Sequence, residues 1–227
     1  MQQLALAVEL RPEADFSAYL PGPNAEAVAA VAGWALGNGE PFVFVSGPSG
    51  SGKTHLLQAA CRAAKDLDAV AVYLPLSHPG LDPSAVEDLE KADLVALDDF
   101  QAASGNRDWE AALFRLYNGL RDANRRLLIG ADAPVAQLGI ALPDLRSRLS
   151  WGPSYRLRPL DEDDCRRLLI DSAARRGLHL SEESASYILS RCPRDPGSLL
   201  NLLDTLDRES LRNKRRLTVS LIRASLS

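Results

Sequence analysis

Short apolar runs recur along the first two thirds of the chain, and they are rich in β-branched and aromatic residues. The runs cover residues 41–46, 69–76, 93–97 and 126–130. Apolar runs without polar alternation are typical of strands buried on both faces of a parallel sheet. Helical patterns separate them, over residues 24–36, 53–66 and 109–123. Strands that alternate with helices predict a doubly wound α/β fold, with a fifth strand near residues 155–157.

The pattern changes beyond residue 160, where only helical periodicity remains. Asp161, Ser181 and Asp195 each precede an amphipathic stretch, and Asp and Ser are favoured residues at helix N-caps. We therefore predict an α/β core that ends at residue 160, followed by a small all-helical domain over residues 161–227.

The composition is that of a globular protein, with 227 residues, 46% hydrophobic, 25% charged and a net charge of −4. Three widely spaced cysteines predict reduced thiols in a cytoplasmic protein rather than a disulfide framework or a zinc site: Cys61, Cys165 and Cys192. No apolar run is long enough to span a membrane, and the chain start lacks the basic flank of a secretory signal. The mild acidity argues against binding nucleic acid through charge alone.

The strongest chemical signal is a glycine-rich segment between the first predicted strand and the helix after it. Its residues are Gly47, Pro48, Ser49, Gly50, Ser51, Gly52, Lys53 and Thr54, with His55 next. They match the Walker A phosphate loop, in which backbone N–H groups surround the phosphates, the lysine neutralises them and the hydroxyl ligates magnesium. A plain glycine-rich turn is the alternative. The strand-then-helix context favours nucleotide binding, with ADP or ATP and Mg²⁺ as the ligands.

Acidic residues follow two other predicted strands. Asp98 and Asp99 come directly after the run at 93–97, where Walker B chemistry needs one carboxylate for the magnesium shell. The second acid could orient or deprotonate the attacking water. Asp132 follows the run at 126–130, from where a polar side chain can reach the γ-phosphate or that water. Helix caps and solvated turns are the alternatives, and the position downstream of the phosphate loop favours catalytic and sensor roles.

Two arginines, Arg146 and Arg148, stand close together in the segment 145–152. Such arginines usually form ion pairs with local acids, of which Asp144 is the nearest in sequence. A guanidinium at a subunit edge could instead complete the ATP site of a neighbouring molecule, as arginine fingers do. The residues by themselves leave both alternatives open.

Taken together, these segments resemble the AAA+ ATPases of the bacterial replication initiator DnaA and, among them, the Hda-type regulators. The resemblance rests on residues 47–55, 98–101, 130–134, 142–151 and 203–208. It implies an AAA+ core over 24–160 and a helical lid over 161–227. It also implies regulatory inactivation of DnaA, in which Arg148 acts in trans as an arginine finger, promotes hydrolysis of DnaA-bound ATP and so prevents re-initiation.

The resemblance extends to residues 1–23 at the start of the chain. Hda-type members begin with a peptide that binds the sliding clamp, the β subunit of the replicative polymerase, and the matching residues are Gln3, Leu4 and Leu6. The period-two apolar pattern there is also typical of an edge strand. No DNA-reading module follows the lid residues, so we expect contact with DNA only through the clamp. Self-association as a homodimer or larger assembly is expected from the AAA+ resemblance.

One position departs from the family pattern. Gly197 stands where the lid usually has a sensor arginine, and Arg194 could replace it only if its loop turned inward. We therefore expect weak ATPase activity at most. Two other functions remain open: a nucleotide-gated adaptor that binds DnaA or a helicase-loading partner without stimulating turnover, and a small-molecule P-loop kinase. Tyr19, Leu20 and Asn24 are candidates for adenine contacts because they precede the core.

Overall fold

The computed structural model describes the backbone of residue 10 and of residues 14–213, and side chains as far as residue 208. The candidate clamp-binding residues Gln3, Leu4 and Leu6 lie outside this part of the chain. In the described residues, no helix is both long enough and apolar enough to cross a membrane. Contacts divide the chain into two compact units, one built mainly from residues up to 157 and the other mainly from residues beyond it.

In the described residues of the first unit, five parallel strands form a sheet in the order β2-β3-β4-β1-β5. They are β1 Phe42–Ser46, β2 Ala71–Pro75, β3 Leu94–Asp98, β4 Arg126–Ala131 and β5 Ser154–Arg156. The parallel α/β sheet predicted from the sequence is thereby confirmed. Because β4 lies between β1 and β3, the loops that follow these three strands meet at one edge of the sheet.

Four α-helices cover the two faces of this sheet. They are α1 Ala25–Ala35, α2 Lys53–Lys65, α3 Arg107–Asp122 and α4 Pro143–Leu149. Val43 and Val45 pack with α1 and α2, whereas Phe44 packs with α3 and α4, as alternation along a strand requires. Helix α4 is not predicted by the sequence pattern, because its seven residues are too few to show helical periodicity.

The second unit, as far as residue 213, contains three helices, α5 Glu162–Arg175, α6 Glu182–Leu189 and α7 Pro196–Asn213. Asp161 accepts a hydrogen bond from the backbone of Asp164, and Ser181 caps α6 in the same way. Leucine and isoleucine side chains from all three helices form a separate apolar core, which includes Leu169, Ile188, Leu199 and Leu203. The predicted helical starts are therefore present, and α6 and α7 each pack against α5.

Candidate functional site

The loop between β1 and α2 curves around the first residue of α2, Lys53. Gly50 and Gly52 adopt φ angles of +75° and +92°, which favour glycine because other residues are strained there. The Lys53 Nζ atom donates hydrogen bonds to the carbonyl oxygens of Gly47, at 2.7 Å, and Pro48, at 3.0 Å. Loop backbone and lysine thus form a single hydrogen-bonded unit.

The Lys53 side chain is buried and lies close to acidic residues. Burial lowers the pKa of its ammonium group, and the charges of three carboxylates oppose that shift: Asp98, Asp99 and Asp132. These are the three acidic residues after β3 and β4 for which the sequence predicts metal-binding, catalytic or sensor roles. The structure brings all of them into the electrostatic surroundings of the phosphate-loop lysine.

Asp98, at the end of β3, is the centre of the hydrogen-bond network at this edge. Its Oδ2 atom accepts hydrogen bonds from the Thr54 hydroxyl, at 2.7 Å, and from the Tyr73 hydroxyl, at 2.8 Å. Its Oδ1 atom accepts a third from the backbone of Asp99, at 3.0 Å. Burial raises the pKa of the Asp98 carboxyl, and its hydroxyl partners oppose the shift.

A hydroxyl and a carboxylate oxygen in contact are the kind of oxygen donors that magnesium prefers beside nucleotide phosphates. Thr54 and Asp98 therefore fit a magnesium ion bound together with a nucleotide. Lys53 lies within hydrogen-bond reach of the loop carbonyls, which places its charge where phosphates would need it. The residues present fit the cofactor that the sequence motif implies.

Gln101 connects the ends of β3 and β4. Its side-chain amide donates a hydrogen bond to Asp99 Oδ1, at 3.2 Å, and its carbonyl oxygen accepts one from the Asp132 backbone, at 3.1 Å. Asp99 also accepts a hydrogen bond from the Ser77 hydroxyl, at 2.5 Å. The two acids with candidate catalytic and sensor roles are thus held by a common neighbour.

Sequence reasoning missed two residues that shape the Asp98 site. Tyr73 comes from the middle of β2, and only the strand register places its hydroxyl against Asp98. Gly130 faces the same carboxylate from β4. A Cβ atom at that position would lie 2.8 Å from Asp98 Oδ1 and 3.1 Å from Leu57 Cδ2. A signal for Gly130 was present, because glycine is unusual inside a strand and marks close approach of another group.

The segment before α1 packs against the start of α2. The Nε2 atom of His55 lies 2.9 Å from the carbonyl oxygen of Asp15, and the ring of Tyr19 meets the His55 ring edge-on at 5.4 Å. Burial raises the pKa of Tyr19 to about 12. Asn24 is buried and Leu20 is half-buried. Tyr19 and His55 therefore lie together beside the phosphate loop, and the adenine contacts stay a prediction.

Arg148, near the end of α4, has surroundings very different from those of Lys53. Its guanidinium carbon lies 4.2 Å from the centroid of the Trp151 ring, and Trp151 is 65% exposed. The Arg148 side chain also lines an apolar groove with Phe42 and Tyr117. Among the residues with described side chains, no carboxylate forms an ion pair with Arg148. The alternative of local pairing with Asp144 is therefore not what the structure shows.

The groove at Arg148 lies toward the opposite end of β1 from the phosphate loop. Phe42, the first residue of β1, lines the groove, whereas the loop follows Ser46. Four residue steps in a strand span about 13 Å. Arg148 is therefore not part of the phosphate site of its own chain.

Comparisons with known proteins identify the family. Residues 161–226 match the family model described as Hda, lid domain. A Haemophilus influenzae protein, described as uncharacterized, is 40% identical over 190 residues, which cover 83% of this chain and 82% of that protein. Domain III of the Thermotoga maritima replication initiation protein DnaA has a TM-score of 0.81, with 22% identity over 96% of this chain and 97% of that one. The chain belongs to the Hda-like, DnaA-related AAA+ proteins.

A second solved structure shares the fold of this Hda-like chain. AMPPCP-bound DnaA from Aquifex aeolicus has a TM-score of 0.73 and 21% identity, over 90% of this chain and 70% of that one. These structures confirm the AAA+ fold class, and the lid match confirms the family resemblance inferred from the sequence. At these identities, the two DnaA structures establish the fold alone.

The Hda-like core holds α4 through a buried carboxylate that sequence reasoning missed. Glu110, in α3, is 1% exposed and accepts three backbone hydrogen bonds. They come from Gly105, at 2.7 Å, Ala141, at 3.0 Å, and Leu142, at 2.7 Å. Leu142 is the N-cap residue of α4. Glu110 therefore fixes the start of the short helix that includes Arg148.

The Hda-like lid has its own arrangement at the predicted sensor position. Gly197 lies in the first turn of α7 and has no side chain to offer. The Arg194 guanidinium forms an ion pair with Glu162, at 2.8 Å, and a hydrogen bond with the Leu189 carbonyl, at 3.4 Å. Arg194 is thus engaged by groups of the lid itself.

Proposed function

We propose that this protein inactivates the initiator DnaA by promoting hydrolysis of DnaA-bound ATP, with Arg148 as the arginine finger. One observation supports this most strongly. The Arg148 guanidinium lies over the ring of the exposed Trp151, away from its own phosphate loop, and has no carboxylate partner in the described structure. An arginine finger stabilises the charge that develops on the transferring phosphoryl group in another molecule's site.

The protein's own nucleotide is ADP or ATP with Mg²⁺, bound at the phosphate loop. In this proposal, Lys53 neutralises phosphate charge, and Thr54 and Asp98 present their oxygens to the metal. Asp99 and Asp132 act near the γ-phosphate, where they orient water. Magnesium, when bound, supplies further neutralisation of phosphate charge. The support is the contact network around Asp98 together with the AMPPCP-bound DnaA among the fold relatives.

Binding at the loop mainly sets the conformation of this chain, because a nucleotide that prefers one state shifts the population toward it. Its own turnover is weak. Two features of the lid support this, the absence of a side chain at Gly197 and the engagement of Arg194 by Glu162.

We further propose that Gln3, Leu4 and Leu6 bind the sliding clamp, so that the protein acts on DnaA near clamp-loaded DNA in the bacterial cytoplasm. A Gln amide can form hydrogen bonds in one pocket while the leucines fill an apolar one, as short extended peptides do. The support for this part is the family resemblance of the sequence. Self-association through the AAA+ core belongs to the same proposal.

The decisive experiment measures ATP hydrolysis by DnaA in the presence of clamp loaded on DNA, with and without this protein. We expect strong stimulation by the wild-type chain. Arg148→Ala should reduce it by on the order of 10³-fold, to near background, because fingers contribute large rate factors. Arg146→Ala is the matched control, since Arg146 is exposed on the same helix and should leave the stimulation in place.

A second function is favoured by the lid observations. A nucleotide-gated adaptor would bind DnaA or a helicase-loading partner without stimulating turnover, which is consistent with the ion pair between Arg194 and Glu162. Pull-down of DnaA with no stimulation of hydrolysis would support the adaptor. Stimulation that Arg148→Ala leaves unchanged would remove the finger from the first proposal. Phosphoryl transfer to a metabolite would contradict both and point to a kinase.

A further inference from the structure

Arg148 has an acidic residue within reach on its own helix but forms no ion pair with it. Asp144 lies four residues before Arg148, and an acid in that order is favourably placed to pair with a base on a helix. The structure instead places the guanidinium over the Trp151 ring, at 4.2 Å. Asp144 forms no ion pair with any side chain that the structure describes.

The backbone around Trp151 is held firmly although its side chain is exposed. The Trp151 backbone donates a hydrogen bond to the Arg148 carbonyl, at 3.1 Å. A Cβ atom at Gly152 would lie only 2.1 Å from the carbonyl oxygen of Phe42, so the chain passes directly against the start of β1. This close approach fixes the position of the Trp151 backbone, from which the ring extends.

Packing does not explain the Trp151 ring itself. Trp34 and Trp109 are buried, with 1% and 8% of their surfaces exposed, whereas Trp151 is 65% exposed. Its described ring contact is with the Arg148 guanidinium. The ring therefore contributes little to the apolar core. Its contact is with the guanidinium of Arg148.

We propose that Trp151 is a positioning residue for the Arg148 finger, which it holds in a stacked orientation and away from Asp144. This inference rests on the proposed function and adds which residue positions the Arg148 side chain. In this proposal the guanidinium meets the ring with its face, which leaves the N–H donors in its plane available. A carboxylate partner would occupy those same donors. The ring thus presents Arg148 to the phosphates of another molecule with its donors uncommitted.

Loss of the ring transfers Arg148 to Asp144, because an exposed cation–π contact and a helical ion pair have similar strengths. Trp151→Leu should therefore lower the maximal stimulation of DnaA hydrolysis about two- to fivefold, which is the range that an exposed cation–π contact supports. Trp151→Phe keeps a ring face and should retain most of the stimulation.

The test that uses only this protein follows the Arg148 Nε–H signal by ¹H–¹⁵N NMR of the full chain. Arg148→Lys identifies the signal by its loss. We expect a ring-current displacement in the wild type that persists in Trp151→Phe and disappears in Trp151→Leu. An undisplaced signal, or one that Trp151→Leu leaves unchanged, overturns the inference whatever the hydrolysis assay shows.

The second test adds Asp144→Asn to Trp151→Leu in the coupled hydrolysis assay. Removing the competing carboxylate should restore the stimulation that Trp151→Leu lost, while Asp144→Asn alone changes nothing. The concentration for half-maximal stimulation should stay constant throughout. If it rises in Trp151→Leu and Asp144→Asn gives no recovery, Trp151 is a partner contact and the inference is wrong. A displaced NMR signal with no stimulation by the wild type contradicts the proposed function alone.

Discussion

The phosphate loop and the sheet edge at Arg148 each hold a cation, but in opposite ways. Lys53 is buried, and its ammonium donates hydrogen bonds to two carbonyl oxygens of its own loop. Arg148 is half-exposed, its guanidinium lies over the Trp151 ring, and no carboxylate in the described structure pairs with it. A hydrogen-bonded cation is committed to a site within its own chain. In our proposal, the cation over the ring uses its donors on a different molecule.

Among the variants that test this comparison, Lys53→Ala should have the largest effect. Removing the buried charge that would face the phosphates should weaken ADP binding on the order of 10²-fold or more. The stack of Arg148 on Trp151 should remain, since it lies toward the other end of β1. Isothermal titration with ADP measures the first effect and the Arg148 Nε–H signal the second. Lys65→Ala, at an exposed position of the same helix, is the matched control. Unchanged ADP affinity would refute the assignment of Lys53.

A smaller effect is expected in the region of Arg148, from Glu110→Gln. The amide group would place an N–H donor against one of the backbone N–H groups that Glu110 now binds. We expect the free energy of unfolding to fall by about 2 kcal/mol, because a buried N–H group loses its acceptor. Urea unfolding measures this loss.

The matched control for Glu110 is Asp108→Asn, at an exposed position in the first turn of α3, where the change should cost about 0.5 kcal/mol. ADP affinity should be the same for wild type and Glu110→Gln, provided that stability is sufficient at the assay temperature. A parallel loss of ADP binding at full folding would mean that the two regions are not independent.

The smallest effect is a pH dependence at the phosphate site. Burial raises the pKa of Asp98 above its ordinary value of 3.8, so the folded chain keeps this proton to higher pH than the unfolded chain. The Asp98 contribution to stability therefore falls as pH rises from 3.8 through the raised pKa. Asp98→Asn cannot ionise, so its stability should improve relative to wild type across that window. Urea unfolding at a series of pH values gives the difference.

Asp82 provides a control of opposite sign. Hydrogen bonds from Ser84 lower the pKa of Asp82, so its contribution is present at higher pH and is lost as pH falls through the lowered pKa. Asp82→Asn should therefore lose stability relative to wild type as pH rises. If the stability difference from wild type changes with pH in the same direction for both variants, local burial at Asp98 is not the cause of the pH dependence.

Local signals were sufficient for most of the fold. Each strand begins within two residues of its predicted run, and α2 begins at Lys53 as predicted. Such patterns need only neighbouring residues, because strand burial, helix caps and the phosphate loop are each encoded over a few positions. The short helix α4 was missed for the same reason, since seven residues do not complete two repeats of a helical pattern.

The amino-acid sequence by itself determined the order of strands and helices, the phosphate loop and the acids at the strand ends, because each is encoded by short stretches of chain. The tertiary structure alone decided which distant side chains meet. The register of β2 on β3 sets Tyr73 against Asp98, and the fold places Glu110 under the start of α4. It also decided that Arg148 stacks on Trp151 rather than pairing with Asp144. That choice depends on where the backbone after α4 packs against β1, which no local pattern encodes.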